Sequence, residues 1–572
     1  MTRLYRINMS TQRCESTPVP PEFARLGGRG FSSTLIAKEV NPNCSPRGPD
    51  NKLVIAPGIL AGTVSPCSQR VSVGGKSPLT GGIKEANAGG TSGQKLGRLG
   101  IAAIVLEGKA KPGQWHILRV SREGAVLEDG GFLQGAGNYR VAETLRAKYG
   151  RDAAVISIGP AGEMLMSAAT VAMTDQDGNP ARHAARGGLG AVMGSKGVKA
   201  IVIDDAGMPK IVPAKDQQAF KKTAKDFAAV ILERPRVKHR LHKFGTAGLI
   251  SFTNEVNSLP TRNFSRGQFE RVEKISGEAV AALIDARGGE RGHACYQGCI
   301  VRCSNKFNDA EGKHLTSSFE YETIAMLGSN LDIFDIDAIA RMDRLCDDYG
   351  VDTIEIGCAL GVAMEANVLP FGDAARAMEA IHEVGKGTVL GRVIGNGAVT
   401  AGRVFGVERV PAIKGQGLPA WDPRTALATG VTFITSPQGA DHTAGRLQGV
   451  MEFDRLKPGT IAQLSKEMQI RACFYDTVGL CHFADGTPES AEWLARLLSA
   501  FYGEHLSVDY VMEVGQKILE TELQFNLAAG FTEADDRLPE FMLKEPLPPT
   551  NATFSVPREE IREAFAGLKK KP

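Results

Sequence analysis

The sequence predicts an α+β fold: an N-terminal β-sheet domain over residues 1–206, then two mainly α-helical domains over 207–415 and 416–572. Three observations carry this. Short β-type runs separated by Gly-rich loops fill the first third of the chain. Beyond Asp204–Asp205 the apolar spacing changes to about 3.6 residues. Gly207–Met208–Pro209 and the Pro411–Pro419 stretch interrupt the pattern at domain-sized intervals.

In chain order, strands are expected at Leu53–Ala56, Ile101–Val105, His116–Val120, Ala154–Ile158 and Ala200–Ile203. Helices are expected at Asp216–Glu233, Thr323–Leu331, Ile336–Tyr349, Asp373–Val384 and Ser490–Phe501. Gly385–Gly406 reads as a Gly-rich connection, and Lys569–Pro572 as a solvated tail. No repeat of solenoid length is visible.

Composition narrows the function classes. Of 572 residues, 42% are apolar and 23% charged, which suits a globular chain with a large core. The balance of 67 Lys+Arg against 64 Asp+Glu leaves only +3, so nothing directs the chain to nucleic acid or an anionic membrane. The N-terminus MTRLYRINMSTQRCESTPVPPEF lacks the apolar core of a secretory signal. Runs such as Ile101–Leu106 and Val351–Leu360 are too short or too interrupted to span a membrane. A cytoplasmic chain with reduced thiols available as ligands is the expectation.

Ten cysteines are too few for a disulfide scaffold, and their spacing is more informative than their number. Cys295, Cys299 and Cys303 form C-x3-C-x3-C in HACYQGCIVRC, and Cys481 follows far downstream. Three close thiolates plus a distant one suit an iron–sulfur cubane. A continuous helix would separate the first and third by about 12 Å along its axis, too far to share one cluster. The segment must bend, and Gly298 is placed to allow it. A four-thiolate zinc site is the competitor, although zinc usually takes C-x2-C knuckles. Cys14, Cys44, Cys67, Cys346, Cys358 and Cys473 read as small buried hydrophobes.

Two segments share a D-x-x-G form: Asp347–Asp352 and Asp476–Cys481. Alone it is an ordinary helix-end turn. Repeated, it offers two carboxylates at Gly-enabled turns, able to accept paired hydrogen bonds from two similar ligands or from two halves of one. The loops GGRGFSS, PLTGGIKEANAGG and ARGGLGAVMGSKG can cradle phosphate through main-chain N–H groups, with Arg29, Arg70 and Arg186 adding charge. Gly75–Lys76–Ser77 is no P-loop, because position 70 is Arg rather than Gly.

These segments together resemble the aldehyde:ferredoxin oxidoreductase family, the tungsten- or molybdenum-dependent pterin enzymes. The resemblance spans essentially the whole chain through KSPLTGGIKEANAGG, RGGLGAVMGSKGVKAIV, FEYETIAMLGSN, CDDYGVDTI, GADHTAGR and DTVGLCHF. It implies a β domain forming the base for two pterins, with helical domains above. It implies that Asp347 and Asp352 serve one pterin, and Asp476 and Leu480 the other. Arg70, Asn87, Gly89, Arg186 and Gly187 match the region holding the pterin phosphates and a bridging Mg²⁺. The four cysteines match the ligands of a [4Fe-4S] cluster, with one residue more than the family's usual C-x2-C-x3-C. Glu322 and His442 match the active-site pair. The Glu and His that bridge some family dimers have no counterpart around Arg341.

The activity so implied is oxidation of an aldehyde to a carboxylic acid at a tungsten or molybdenum bis-molybdopterin centre. Electrons leave through the cluster to ferredoxin or a ferredoxin-like subunit, in a homodimer or hetero-oligomer. The alternatives are reduction of a thioester-activated aromatic acid with the same cofactors, or a non-catalytic iron–sulfur electron-transfer or scaffold subunit.

Overall fold

The computed structural model describes residues 2–445, 447, 459–485 and 489–568; the tail Lys569–Pro572 and Arg446 of the GADHTAGR segment lie outside them. The fold is α+β. Its first sheet comprises β1 (Arg3–Asn8), β2 (Arg13–Pro18), β3 (Leu53–Pro57), β4 (Val71–Lys76), β5 (Ile83–Ala88) and β6 (Ile101–Glu107), in the order β2–β1–β6–β3–β4–β5. The second comprises β7 (His116–Ser121), β8 (Gly124–Asp129), β9 (Ala154–Ser157), β10 (Val171–Met173), β11 (Arg182–Ala184) and β12 (Val198–Ile203), in the order β8–β7–β12–β9–β10–β11.

The two orders correspond strand for strand. Each sheet has one parallel pair, β1/β6 and β7/β12. The others are antiparallel in matching positions: β1/β2 with β7/β8, β3/β6 with β9/β12, β3/β4 with β9/β10, and β4/β5 with β10/β11. The N-terminal region is thus a duplicated topology with no counterpart in the sequence pattern.

Alternation along the strands explains how the sheets stack. Leu53 and Ile55 of β3 share a core with Leu118, Val120, Ile156 and Ile201 of the second sheet. Val54 and Ala56, on the opposite face, pack on Phe31, Leu35 and Ile36 of the helix Gly28–Glu39. Ala200 and Val202 likewise face Val141 and Leu145 of the helix Asn138–Tyr149. A period of two places neighbouring residues on opposite faces. Each buried Val, Leu or Ile contributes about 1.5–3 kcal/mol.

Beyond Ile203 helices dominate. Asp216 and Asp373, read as first helical residues, are N-caps whose side chains accept from Ala219 N and Arg376 N, so the helices run Gln217–Glu233 and Ala374–Lys386. Ile336–Tyr349 is a helix as expected, and Ser490–Phe501 lies within Glu489–Tyr502. The expected helix Thr323–Leu331 is instead Tyr321–Leu327 followed by a 3₁₀ turn, Ser329–Leu331. Gly328 divides them, with φ −107° and ψ −99°. The Gly-rich Gly385–Gly406 stretch holds two helices, Val389–Gly395 and Ala398–Phe405. Small strands Glu290–His293, Ser304–Asn308 and His314–Thr316, unseen in the pattern, follow one another around the cysteine segment.

Cys67, Cys346, Cys358 and Cys473 are buried as expected, but Cys14 and Cys44 are only half-buried. Cys14 lies on the edge strand β2, which has a neighbour on one side only, and Cys44 lies in the loop before β3.

Candidate functional site

The two D-x-x-G segments fold alike. Each ends a helix, Ile336–Tyr349 or Thr460–Val478, with glycine in the left-handed region at φ +70° for Gly350 and +82° for Gly479. In each, the next N–H reaches back to a helical carbonyl: Val351 N to Cys346 O at 2.9 Å, and Leu480 N to Tyr475 O at 2.9 Å. Each turn rests on a glycine after an equivalent strand. A Cβ on Gly58, beyond β3, would lie 2.3 Å from Gly479 Cα, and one on Gly159, beyond β9, would lie 2.3 Å from Tyr349 O. The turns are thereby set on corresponding points of the duplicated sheets.

The carboxylates meet corresponding positions too. Asn87 faces Ser72 across β4/β5, and His183 faces Ala172 across β10/β11. Asn87 Nδ2 donates to Asp476 Oδ1 at 3.0 Å; His183 Nε2 lies 3.1 Å from Asp347 Oδ1. His482 Nε2 is 2.8 Å from Asp476 Oδ1, and the Tyr139 hydroxyl is 3.2 Å from Asp347 Oδ2.

Arg70, just before β4, binds Asn87 Oδ1 through Nε and Asn87 O through Nη2 at 3.0 Å. Arg186 Nε is 2.9 Å from Asp352 Oδ2 without hydrogen-bond alignment, and its Nη2 donates to Gly417 O at 2.6 Å. Arg186 Nε and Nη1 and Asp352 Oδ2 are consequently buried without hydrogen bonds. Burial pushes the Asp352 carboxyl upward against the pull of Arg186. Gly187 takes φ +82°, and a Cβ there would strike the Lys84 side chain at 2.4 Å. The Leu480 side chain is fully buried in an apolar cluster. Arg29, read as a phosphate-facing charge, is instead held by Glu522 at 2.7 Å and Asp476 at 3.3 Å.

Cys295, Cys299, Cys303 and Cys481 share the wall of one cavity of about 360 Å³. The first three lie on a non-helical bend, with Gly298 at φ +99° as the geometry required. A Cβ on Gly89 would sit 3.0 Å from Cys295 Sγ, so the main chain closes tightly on that thiol. Its hydrogen bond to Cys299, then burial, pushes the Cys295 thiol up; burial does the same to Cys303. Cys299 is pushed up to about 12, its bond with Cys295 opposed by one with Cys67 and by burial. Thiols so crowded stay protonated until a cation draws the protons off. The Tyr296 hydroxyl, beside Cys67, Cys295, Cys299 and Cys481, is buried without a hydrogen bond.

Glu322, in the first turn of Tyr321–Leu327, and His442, in the loop after Asp441, come together in the same cavity. Glu322 Oε2 accepts from Ala420 N at 2.7 Å, which fixes the carboxylate. Oε1 is buried without a hydrogen bond, 3.6 Å from His442 Nε2. Tyr321 and Trp421, with ring centroids 5.5 Å apart, form an aromatic wall nearby.

Several residues in and around the cavity carry no signal in the sequence. Arg182 faces Cys295 and Cys303 and lies 3.6 Å from Glu320. Lys84 anchors the His442 loop through Asp441 at 2.6 Å. Cys67, read as packing alone, also touches Cys299, and its carbonyl accepts from Cys481 N at 2.7 Å. His482 lies within DTVGLCHF and His183 two positions before ARGGLGAVMGSKG, the only signal they carried.

The residues present fit the pterins and the iron–sulfur cluster that the resemblance implies. Unsatisfied Arg186, Asp352 and Glu322 atoms face a polar ligand volume, and four thiols converge on one space.

Comparison with known proteins gives a consistent result. The family model described as aldehyde ferredoxin oxidoreductase, N-terminal domain, matches residues 4–205, and that for domains 2 and 3 matches residues 222–566. Tungsten-containing aldehyde ferredoxin oxidoreductases of Pyrococcus furiosus and Thermococcus kodakarensis are each 33% identical, over 96% of this chain and 92% of theirs. A P. furiosus aliphatic sulfonate oxidoreductase, WOR-like subunit, is 25% identical over 98% of this chain and 92% of its own. Among solved structures, the active-site complex of a benzoyl-coenzyme A reductase with 1,5-dienoyl-CoA superposes with a TM-score of 0.82 at 18% identity, covering 99% of this chain and 93% of that one.

Proposed function

Because the chain belongs to the aldehyde ferredoxin oxidoreductase family, we propose that it oxidises an aldehyde to a carboxylic acid and passes the electrons to an iron–sulfur carrier. The observation that carries this reading is the meeting of Glu322 and His442, 120 positions apart in sequence, beside the cavity lined by the four cysteines.

The overall change is R–CHO + H₂O → R–COOH + 2 H⁺ + 2 e⁻. A tungsten or molybdenum bis-pterin centre would supply the two-electron oxidation, and a [4Fe-4S] cluster the one-electron exit. Cys295, Cys299, Cys303 and Cys481 are the residues proposed to hold the cluster. Asp347, Asp352 and Arg186 on one side, and Asp476, Leu480, Arg70, Asn87 and Gly89 on the other, are proposed to hold the two pterins. Gly187 shapes the Arg186 side of the cradle. A Mg²⁺ at the pterin phosphates belongs to the same proposal, in the region of Arg70, Asn87, Arg186 and Gly187.

The chain's own chemistry centres on two atoms. Glu322 Oε1 takes the proton released from water or the hydrated aldehyde, which its missing hydrogen bond leaves it free to do. His442 Nε2, 3.6 Å away, holds the substrate oxygen as its charge changes. Ala420 N keeps the carboxylate in place, and Tyr321 and Trp421 shield the site from water.

The test is Glu322→Gln, purified anaerobically and assayed with aldehydes and benzyl viologen. Turnover falls by about 10²–10⁴-fold, the usual contribution of a positioned proton acceptor, while tungsten or molybdenum and iron contents match the wild type. Full activity removes Glu322 from the mechanism. Reduction of an aromatic thioester by a wild-type protein inactive on aldehydes overturns the proposed reaction.

A further inference from the structure

The shortest description of charge in this chain, a net +3, hides one strongly basic segment. Arg234-Pro-Arg-Val-Lys-His-Arg-Leu-His-Lys243 has five Lys/Arg, two His and no acid. It forms the wide helical turn Arg236–Leu241, running into His242–Phe244. Val237 and Leu241 are buried in the apolar cluster against which Cys299, Cys303 and Cys481 also pack. With those two side chains inward, Lys238, His239 and Lys243 are left exposed.

Hydrogen bonds fasten this segment to both chain segments that carry the thiols. Arg236 Nη2 donates to Phe483 O at 3.1 Å, and Arg234 Nη1 to Ala484 O, just beyond Cys481. His242 Nε2 lies 3.0 Å from Ile300 O, between Cys299 and Cys303. Thr246 N donates to Cys303 O at 3.2 Å. The basic turn is therefore fastened directly to the chain segments that carry Cys299, Cys303 and Cys481.

Its charge is incompletely balanced. Glu233 pairs with Lys238 at 3.0 Å, and Asp485 and Glu489 lie near Arg234. Arg240 Nε is buried without a hydrogen bond, and burial holds the Arg240 guanidinium below its ordinary range. Arg302, half-exposed between Cys299 and Cys303, adds positive charge and is 3.5 Å from Glu290. Partly desolvated cations without full partners weaken a free chain but favour an anionic partner at the surface.

We propose that the Arg234–Lys243 turn is the docking surface for a small acidic one-electron carrier protein. This rests on the reading that the four cysteines hold the electron-exit cluster. Each aldehyde oxidised releases two electrons, so two oxidised carriers are reduced by one electron each per turnover. The complementary charge steers the carrier onto the surface beside the cysteine segments and speeds encounter at low salt.

The experiment uses the anaerobically purified holoenzyme, an acidic bacterial 2[4Fe-4S] ferredoxin as probe, and Lys238→Glu/Lys243→Glu as the variant. A control double variant, Lys109→Glu/Lys111→Glu, makes the same charge change at exposed sites between β6 and β7. Calorimetric titration reads ferredoxin affinity directly, and benzyl viologen reads aldehyde turnover without docking. The expected result is at least a tenfold weaker ferredoxin affinity and a raised KM for Lys238→Glu/Lys243→Glu, with viologen turnover within twofold of wild type. The control binds ferredoxin as the wild type does, and wild-type binding weakens steadily with added salt. Equal affinity in the two double variants, or no wild-type binding, overturns the docking surface. Absent viologen turnover in the wild type condemns the proposed oxidation instead, since calorimetry reads docking independently.

Discussion

Replacing Gly58 and Gly159 separately by alanine sets the duplicated architecture against the asymmetric placement of the cysteines. A Cβ on Gly58 would lie 2.3 Å from both Cα and N of Gly479 and 2.4 Å from Val478 C. All are main-chain atoms, and carbon contacts favour about 3.5–4.0 Å, so the Asp476–Cys481 turn must retreat by more than about 1 Å. Three hydrogen bonds cross this approach: Ile59 N to Thr477 O at 3.1 Å, Leu60 N to Val478 O at 3.3 Å and Arg70 N to Gly479 O at 3.2 Å. Overpacking of this kind costs about 1–3 kcal/mol, and each strained hydrogen bond adds up to about 1 kcal/mol. On Gly159 the added Cβ would lie 2.3 Å from Tyr349 C and O, moving the Asp347–Asp352 turn, which carries no cysteine. A misplacement of 1 Å can lower turnover about 10²-fold. Both variants therefore lose most aldehyde–viologen activity, and both melt at lower temperature. Iron analysis separates them: Gly58→Ala displaces Cys481 and falls below half the wild-type iron, whereas Gly159→Ala keeps it. Equal iron loss in the two, or full iron and activity in Gly58→Ala, refutes the reasoning.

Two further perturbations probe buried charge. Lys84 and Asp441 are almost wholly buried at 2.6 Å, and Lys84 and Arg186 outweigh burial to hold Asp441 well below the usual carboxylate range. Lys84→Met strands that carboxylate, costing about 3–5 kcal/mol, and loosens the His442 loop; thermal melts should show the loss, with part recovered in Lys84→Met/Asp441→Asn. Melts of the double variant no better than the single deny the pairing its role. Glu85 is raised to about 8, first by burial and then by Asp476, so the folded chain keeps its proton while the unfolded chain has released it. Stability from this group is full below the ordinary carboxyl range and declines as pH rises to about 8; Glu85→Gln should melt with a shallower pH slope between 5 and 8, and parallel slopes would contradict the assignment.

What could be read from the chain alone depended on whether the signal was local. Three thiols in nine residues, the bend at Gly298 and the twin D-x-x-G turns are local, and the structure brings the cysteines to one cavity and the turns to equivalent caps. The duplication was invisible because topology repeats while residue types do not. At matching positions Asn87 meets Asp476 and His183 meets Asp347, and neither pair shares a residue pattern on the strand side. Arg29 was misread for a related reason: its carboxylate partners, Asp476 and Glu522, lie more than 400 residues away. Lys84 sat unnoticed in a strand, since nothing in the sequence marks a lysine as buried. Gly328 broke a helix whose apolar spacing continued through it, because periodicity reports which face is buried and not whether the backbone stays helical.

The central claim is that one chain gathers a heavy-metal pterin centre and a four-cysteine cluster. Elemental analysis of anaerobically purified protein for tungsten, molybdenum, iron and zinc tests it most directly. The account predicts about one tungsten or molybdenum and about four iron atoms per chain, as a cubane on four thiolates requires. Zinc alone, with neither iron nor heavy metal, would make the cysteines a structural site and contradict the proposed oxidation at its centre.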